Sequence, residues 1–517
     1  MHALLAVLSL ALPAVEDWTP LHAPSVCLRG SEAPLPPLLS SGSHLELVRG
    51  EIPGTAEDSG PLLPYSTFLQ MVEEDARSRS ARLEVQRFQN GALVRGDAAT
   101  IAAARAVQAA LDAAGRALDV DVSVRIAPSH SPTGGGAGDL GFQRRVRSGD
   151  TTFFGTRDMT TFVAGFDVEV ADNSGSSTPV MGRAHHGIGL HLTVCRIDGG
   201  RRVHLQGVFD AAEIAETTAF DPGTPDLGVM QQPRVVFAQV AFAGTVDSAG
   251  KLSVVVNGAP LQNTQWTLEI QARTQPDPAP DAPLNASFVV FDLGFAAATS
   301  RGESAGLNAL FYGQNGGSRE TGLGSLPPSA IASLVESARA AGPRGARAPL
   351  YWSDRILIVP RSDAAALAEA RALVRGIEAV RLQETQVELA LGPVSAQLPV
   401  CAASPGRFVV GTERPLVVEY RLEVAPQVWM PSPIVETTFN GTAFDLTAQG
   451  DGVSAALWSA TSGPIVELAR ETAQVGRLQT VTRRVNCAVA RAEQDAPARI
   501  ALSGTDVDVA VIRCRRP

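Results

Sequence analysis

The chain is written twice, and no other feature of the sequence constrains its fold more. Leu63-Pro64-Tyr65-Ser66 returns as Leu326-Pro327-Pro328-Ser329, and Met71-Val72-Glu73 returns as Leu334-Val335-Glu336, both 263 residues downstream. Asp97-Ala98-Ala99 with Arg105 returns as Asp363-Ala364-Ala365 with Arg371. Val122, Val124, Ile126 and Pro128 return as Val387, Leu389, Leu391 and Pro393, and His44–Leu47 has a fainter echo in Leu307–Leu310. A repeat this long implies two units of one fold, so each half must be read beside the other.

Each copy opens with a small module. A helix follows a Pro-bearing stop at Ser66–Arg79 and again at Ser329–Ala341. Two short strands come next, Arg82–Phe88 with Ala92–Arg95 and Leu350–Trp352 with Arg355–Val359. Asp97 and Ser362 are acceptable N-caps for a second helix, whose apolar residues keep a helical period at Ile101, Ala104, Val107 and Leu111. In the second copy Leu367, Ala370, Leu373, Val374 and Ile377 do the same. Strict alternation at Val120–Ile126 and Val387–Leu391 predicts a strand closing each module. The expected unit is αββαβ, with room for an earlier strand, and Pro61–Pro128 should superpose on Ser325–Pro393.

Beyond each module the pattern turns to strands. Ile188, Leu190, Leu192 and Val194 alternate, as do Trp266, Leu268 and Ile270. So do Val418, Tyr420, Leu422 and Val424, then Val485, Cys487 and Val489, then Val507, Val509 and Val511. Gly and Pro turns between them favour antiparallel hairpins. The fold class expected is therefore α+β, with two tandem αββαβ modules each followed by an antiparallel β-rich domain. The divisions are 1–17 signal peptide, 18–60 extended segment, 61–128 first module and 129–273 first β domain. A Pro/Asp linker at 274–286 and a connecting segment at 287–324 lead to the second module, 325–393, and the second β domain, 394–517. Each β domain is expected to fold back on itself as a separate small sandwich or curved sheet. No strand series reads as long and lipid-facing enough to span an outer membrane.

The modules carry a resemblance. Leu93-Val94-Arg95-Gly96-Asp97 and the Ala-rich helix after it resemble the small N-domain of the secretin family. Gly187–Val194 with Gly199–Leu205 is similar to the strand and hairpin of the secretin β domain, and Gly250–Gly258 to its late strand. The likeness covers Pro61–Gly258 and, more faintly, Ser325–Gly504. It implies ring-building periplasmic modules before a β-sheet domain. The chain departs from the family's pattern in three ways. The paired prolines and closing Leu-Phe are missing after Gly258, Cys195 stands where a Pro is expected, and the β domain occurs twice. Membrane insertion and gating are not implied.

Met1–Val15 is an apolar run followed by Glu16-Asp17, which reads as a secretory signal and places the chain in the periplasm or outside the cell. The Ala-rich stretch Ile101–Leu118 is interrupted by Arg105, Asp112 and Arg116, so no transmembrane helix is expected. Association with an outer membrane would run through other proteins. A net charge of −10 argues against a nucleic-acid partner. The five cysteines (Cys27, Cys195, Cys401, Cys487, Cys514) have no zinc-like spacing, and Cys487 with Cys514 is the best candidate for a disulfide.

Three matches invite an enzymatic reading and none is completed. Gly302-Glu303-Ser304-Ala305-Gly306 has the form of a nucleophile elbow, but no histidine follows His204 to act as base. Gly136–Gly141 spaces its glycines as a dinucleotide loop does, without the flanking strand and helix. His185, His186, His191 and His204 read as ordinary exposed strand histidines with no carboxylate nearby. The expectation is a non-enzymatic exported structural or assembly protein with no catalytic, cofactor or metal residues. It would self-associate or bind protein partners. The alternative is a secreted or periplasmic module that binds a protein or other ligand through its β-domain loops.

Overall fold

The computed structural model describes residues 18–24, 27, 44–47, 63–88, 91–128, 139–224, 227–247, 250–257, 265–274, 288–297, 328–341, 350–353, 355–402, 404–449, 452–468, 477–494, 496–501 and 509–515. The signal-like run, Ser304 and most of the Gly136–Gly141 loop lie outside them. In chain order, β1 (Thr19–His22) and β2 (Leu45–Leu47) precede α1 (Tyr65–Ser78), the hairpin β3 (Leu83–Phe88) and β4 (Gly91–Gly96), and α2 (Ala98–Ala117). Then come β5 (Asp119–Pro128), β6 (Leu140–Arg147), β7 (Thr151–Ala171), β8 (Ser174–Ile197), β9 (Arg202–Phe220), β10 (Met230–Asp247), β11 (Lys251–Asn257) and β12 (Gln265–Thr274). The second half opens with β13 (Phe288–Asp292), α3 (Pro328–Ala341), β14 (Tyr351–Trp352), β15 (Ile356–Pro360) and α4 (Ala364–Arg381). It continues with β16 (Glu384–Leu391), β17 (Val394–Cys401), β18 (Gly406–Val424), β19 (Trp429–Gln449) and β20 (Gly452–Ser462). The last strands are β21 (Val466–Leu468), β22 (Leu478–Thr480), β23 (Arg483–Glu493), β24 (Ala498–Ala501) and β25 (Val509–Arg515).

The two small modules share strand order, as their repeated sequence implies. Their sheets run β1-β4-β3 and β13-β15-β14, each with an earlier strand added antiparallel to the second hairpin strand. Asp97 accepts from the Thr100 amide at 2.7 Å, and Asp363 from the Ala366 amide at 2.9 Å. The second cap is thus Asp363 rather than Ser362, one residue on and in phase with the repeat. The modules pack on each other. Phe288, Ile356 and Ile358 join the core of Phe68, Leu69 and Val94, and the Tyr351 hydroxyl donates to Glu74.

The α+β expectation is overturned: 67% of the described residues are strand and 19% helix, with four helices against large antiparallel sheets. The closing strands β5 and β16 do not complete the modules at all. They enter an eight-stranded sheet, β24-β25-β16-β17-β11-β12-β5-β6, which lies against a nine-stranded one, β2-β8-β9-β10-β18-β19-β20-β23, with β7 also on β8. Alternation could show that Val120–Ile126 buries one face, but not which layer covers it. Here the inward residues Val120, Val122, Val124 and Ile126 meet Leu190, Leu192 and Phe209 of the other sheet in one core.

The halves are not two separate β domains. β10 pairs with β18 over Val235–Ala241, and β11 with β17 over Val255–Asn257, so both sheets run unbroken across the duplication. Val235–Val240 is buried on both faces, the continuous run of a central strand and not of an edge. The strands are also longer than expected. β7 to β10, β18 and β19 have 18 to 24 residues, well beyond the ~10 that cross a bilayer.

Strand by strand, the register repeats. Asp119 opposite Arg147 and Ile126 opposite Leu140 in β5–β6 become Glu384 opposite Cys401 and Leu391 opposite Val394 in β16–β17. Gly155 faces Gly189 across β7–β8, and Gly411 faces Gly441 across β18–β19. Aligned so, Phe154-Gly155-Thr156-Arg157 matches Val410-Gly411-Thr412-Glu413. Pattern alone aligns Gly189–Val194 with Arg421–Pro426 and Gly250–Gly258 with Ala498–Gly504. The register keeps Leu252–Val255 on Ala498–Ala501 but puts Gly189–Val194 on Gly441–Leu446 of β19.

The glycine pairs have a steric cause. A Cβ on Gly155, whose φ is +151°, would lie 2.2 Å from the Ile188 carbonyl oxygen, and one on Gly441 2.2 Å from the Val410 oxygen. Gly155→Ala and Gly441→Ala are each expected to cost about 1–3 kcal/mol, as overpacking does. A urea midpoint within error of wild type for both would show that the strands have slack there.

Candidate functional site

The duplication brings a set of ionisable side chains together where the halves join. Phe209 and Ala211 of β9 face the core between the sheets, so Asp210 points to the outer face of its sheet. That face is not open to water. β8 pairs with β9 only over Gly187–Ile197, and beyond it β2 pairs with β8 over Gly182–Ala184 and covers the gap. His44, just before β2, stacks on Phe237 with ring centroids 4.1 Å apart.

There His44 Nε2 lies 2.7 Å from Asp210 Oδ1, and Arg157 of β7 donates to Asp210 Oδ2 at 2.6 Å. The His44 amide donates to Glu413 Oε2 of β18 at 2.6 Å. His191 packs on Phe153 at 4.9 Å, and neither of its ring nitrogens has a hydrogen-bond partner among the described residues. None of these five side chains is more than 6% exposed. Burial pushes the Asp210 carboxyl up, but His44 and then Arg157 outweigh it and hold it below the ordinary carboxylate value. Burial, with the Arg157 charge beside it, pushes His191 down to about 4, so its ring is neutral. Arg157 and Glu413 occupy matching positions of the repeat with opposite charge.

Chemically this arrangement holds charge and does not present it. A ligand could not reach these buried atoms without displacing the segments packed over that face, β2 and the β7–β8 hairpin among them. What the cluster can do is bind three pieces of chain together: the N-terminal strand, the first half through Asp210 and Arg157, and the second through Glu413.

The histidines correct the sequence reading. His185, His191 and His204 are each 4% exposed, and only His186 keeps a wetter place, 3.0 Å from the Thr160 hydroxyl. His204 is pushed down to about 4 by burial, then by the Arg381 and Arg202 charges. A carboxylate does lie close to His191, namely Asp210. Nothing local in the sequence reveals that a distant segment covers the face that carries Asp210 and Glu413. Among the described residues no three His, Cys, Asp or Glu side chains converge as a metal site. All five cysteines are free thiols. Cys487 is exposed on the outer face of β23 while Cys514 faces the core between the sheets, so the expected pair points apart.

No family model matches this chain, and no curated protein does. Among solved structures, it is similar to the InvG secretin domain β-barrel of the Salmonella SPI-1 injectisome at 11% identity and TM-score 0.22, covering 52% of this chain and 90% of that one. It is also similar to the Salmonella SPI-1 type III secretion injectisome secretin InvG, at 12% identity and TM-score 0.20, over 41% of this chain and 80% of that one. The resemblance in structure is thus to secretin domains, and it is distant.

Proposed function

We propose that this chain is a non-enzymatic, exported structural protein of the cell envelope that acts by assembling with protein, copies of itself included. One observation carries this reading: a repeated β unit joined to its own repeat, edge to edge, through both sheets at once. Such a joint uses main-chain pairing, a recurring way in which sheets recruit further strands. The most buried ionisable groups tie chain segments together, which is the work of a scaffold. Among the described residues no helix is long and apolar enough to cross a membrane. The apolar run at Met1–Val15 supports export, and a periplasmic or secreted place follows from it.

Expression of the full chain in a host with an export pathway tests both parts. N-terminal sequencing of the exported protein should begin near Ala14–Asp17, and an intact Met1 would overturn export. Light scattering of the mature protein should show a discrete species of many chains. A monomer at every concentration would overturn assembly.

A further inference from the structure

The second module is seated on the nine-stranded sheet at the end of β8. Val194 belongs to the core between the sheets, whereas Cys195 and Ile197 join the core of the module, with Leu293, Ile331, Leu357 and Leu367. Two polar contacts fasten the seat. Arg355 of the module pairs with Asp150, just before β7. Glu378 of α4 reaches the tight turn between β8 and β9, where its Oε1 accepts from the Asp198 amide at 3.1 Å. That turn holds Asp198 at φ +49° and Gly199 at φ +60°. A left-handed aspartate of this kind persists where its surroundings hold it.

The charges around Glu378 do not balance. Asp198 of the turn and Asp292 at the end of β13 both oppose its ionised form, and Arg202 at the start of β9 favours it. Arg202 is shared, since it also acts on Glu384 of β16 and lies 3.9 Å from Asp247. Arg381, one turn further along α4, acts on His204 of β9, whose ring is neutral above its pKa of about 4. Arg355 is taken up by Asp150. Burial, then the Asp198 and Asp292 carboxylates, push the half-buried Glu378 carboxyl up to about 7, against the Asp198 amide and Arg202.

We infer that Glu378 is a pH-dependent latch: the second module stays seated on the sheet while this carboxyl is protonated and loosens when the proton leaves. A neutral carboxyl keeps the hydrogen bond from the Asp198 amide and adds no charge. The carboxylate meets two like charges in a place that water only partly reaches. The sign follows from linkage. The seated form binds the proton more tightly than a loosened one, in which the carboxyl returns towards its ordinary value of 4.5. Seating is therefore firmest in acid, weakens as pH rises and levels off above about 7. Between those limits each pH unit changes the ratio of loosened to seated protein by at most about tenfold. The latch lies within one chain, so it operates whether or not chains assemble.

Cys195 reports the state of the seat, because the module buries it, while Cys514 is buried in the core between the sheets. The full-length chain is alkylated with N-ethylmaleimide over a range of pH, and both thiols are followed by peptide mass spectrometry. Each rate is divided by that of the urea-unfolded chain at the same pH, which removes the titration of the thiol itself. The corrected Cys195 rate is expected to rise at least about tenfold between pH 5.5 and pH 8, with no matching rise at Cys514. Glu378→Gln keeps the acceptor without the charge and should hold Cys195 at its acid rate throughout. Asp292→Asn removes one opposing carboxylate and should move the rise to lower pH. A flat wild-type profile, or the same rise in Glu378→Gln, would overturn the latch. So would a parallel rise at Cys514, which would mean that the whole fold opens and not the seat.

Discussion

Replacing Asp210 by alanine is expected to destabilise the fold by about 3–5 kcal/mol, the range for removing one partner of a buried ion pair. The carboxylate is 3% exposed, and it accepts from Arg157 and faces His44, so its loss leaves a buried guanidinium with one counter-charge fewer. The cost should be recovered in large part by combining Asp210→Leu with Arg157→Met, because the charge that suffered is then gone as well. By contrast, Asp121→Ala, which breaks the exposed pair with Arg145, should leave stability unchanged within error. Chemical denaturation of the four proteins checks this. A loss below about 1 kcal/mol for Asp210→Ala would show that the cluster does not hold the joint.

Acid should weaken the protein through its buried histidines. His191 and His204 are held near pKa 4 by burial, with neighbouring arginines adding to it, and in the unfolded chain they take up a proton near 6.5. Between those values the unfolded state binds more protons, so stability rises with pH and is lost as pH falls. Each ring contributes a loss of about 1.4 kcal/mol per pH unit, roughly 2 kcal/mol on going from pH 7 to pH 5. Burial moves Glu378 the opposite way, up to about 7, so its contribution is lost as pH rises and offsets part of the histidine slope. The difference between proteins isolates the rings. A His191→Phe, His204→Leu variant should gain about 4 kcal/mol relative to wild type between pH 7 and pH 5. Parallel pH profiles for the two proteins would mean that the rings are protonated in the fold.

Much was legible before any coordinates. The helical periods and the strand alternations located the helices and strands near the start of each copy to within a residue or two, because these signals are local. The duplication also said that the modules should share strand order, and they do. The candidate site was not legible. Arg157, Asp210 and Glu413 sit on three strands and His44 just before a fourth, all from distant parts of the chain, and nothing near any of them in sequence marks it as buried.

What the residues determined by themselves was the repeat, the helices and strands, and which face of each strand is apolar. Periodicity and capping act over a few residues, so they can be read along the chain. Only the tertiary structure decided where β5 and β16 go, that β10 and β18 join the halves, and that a face carrying Asp210 is dry. Those outcomes depend on which surfaces meet, since a strand edge accepts any partner of suitable register and an apolar face any cover that excludes water.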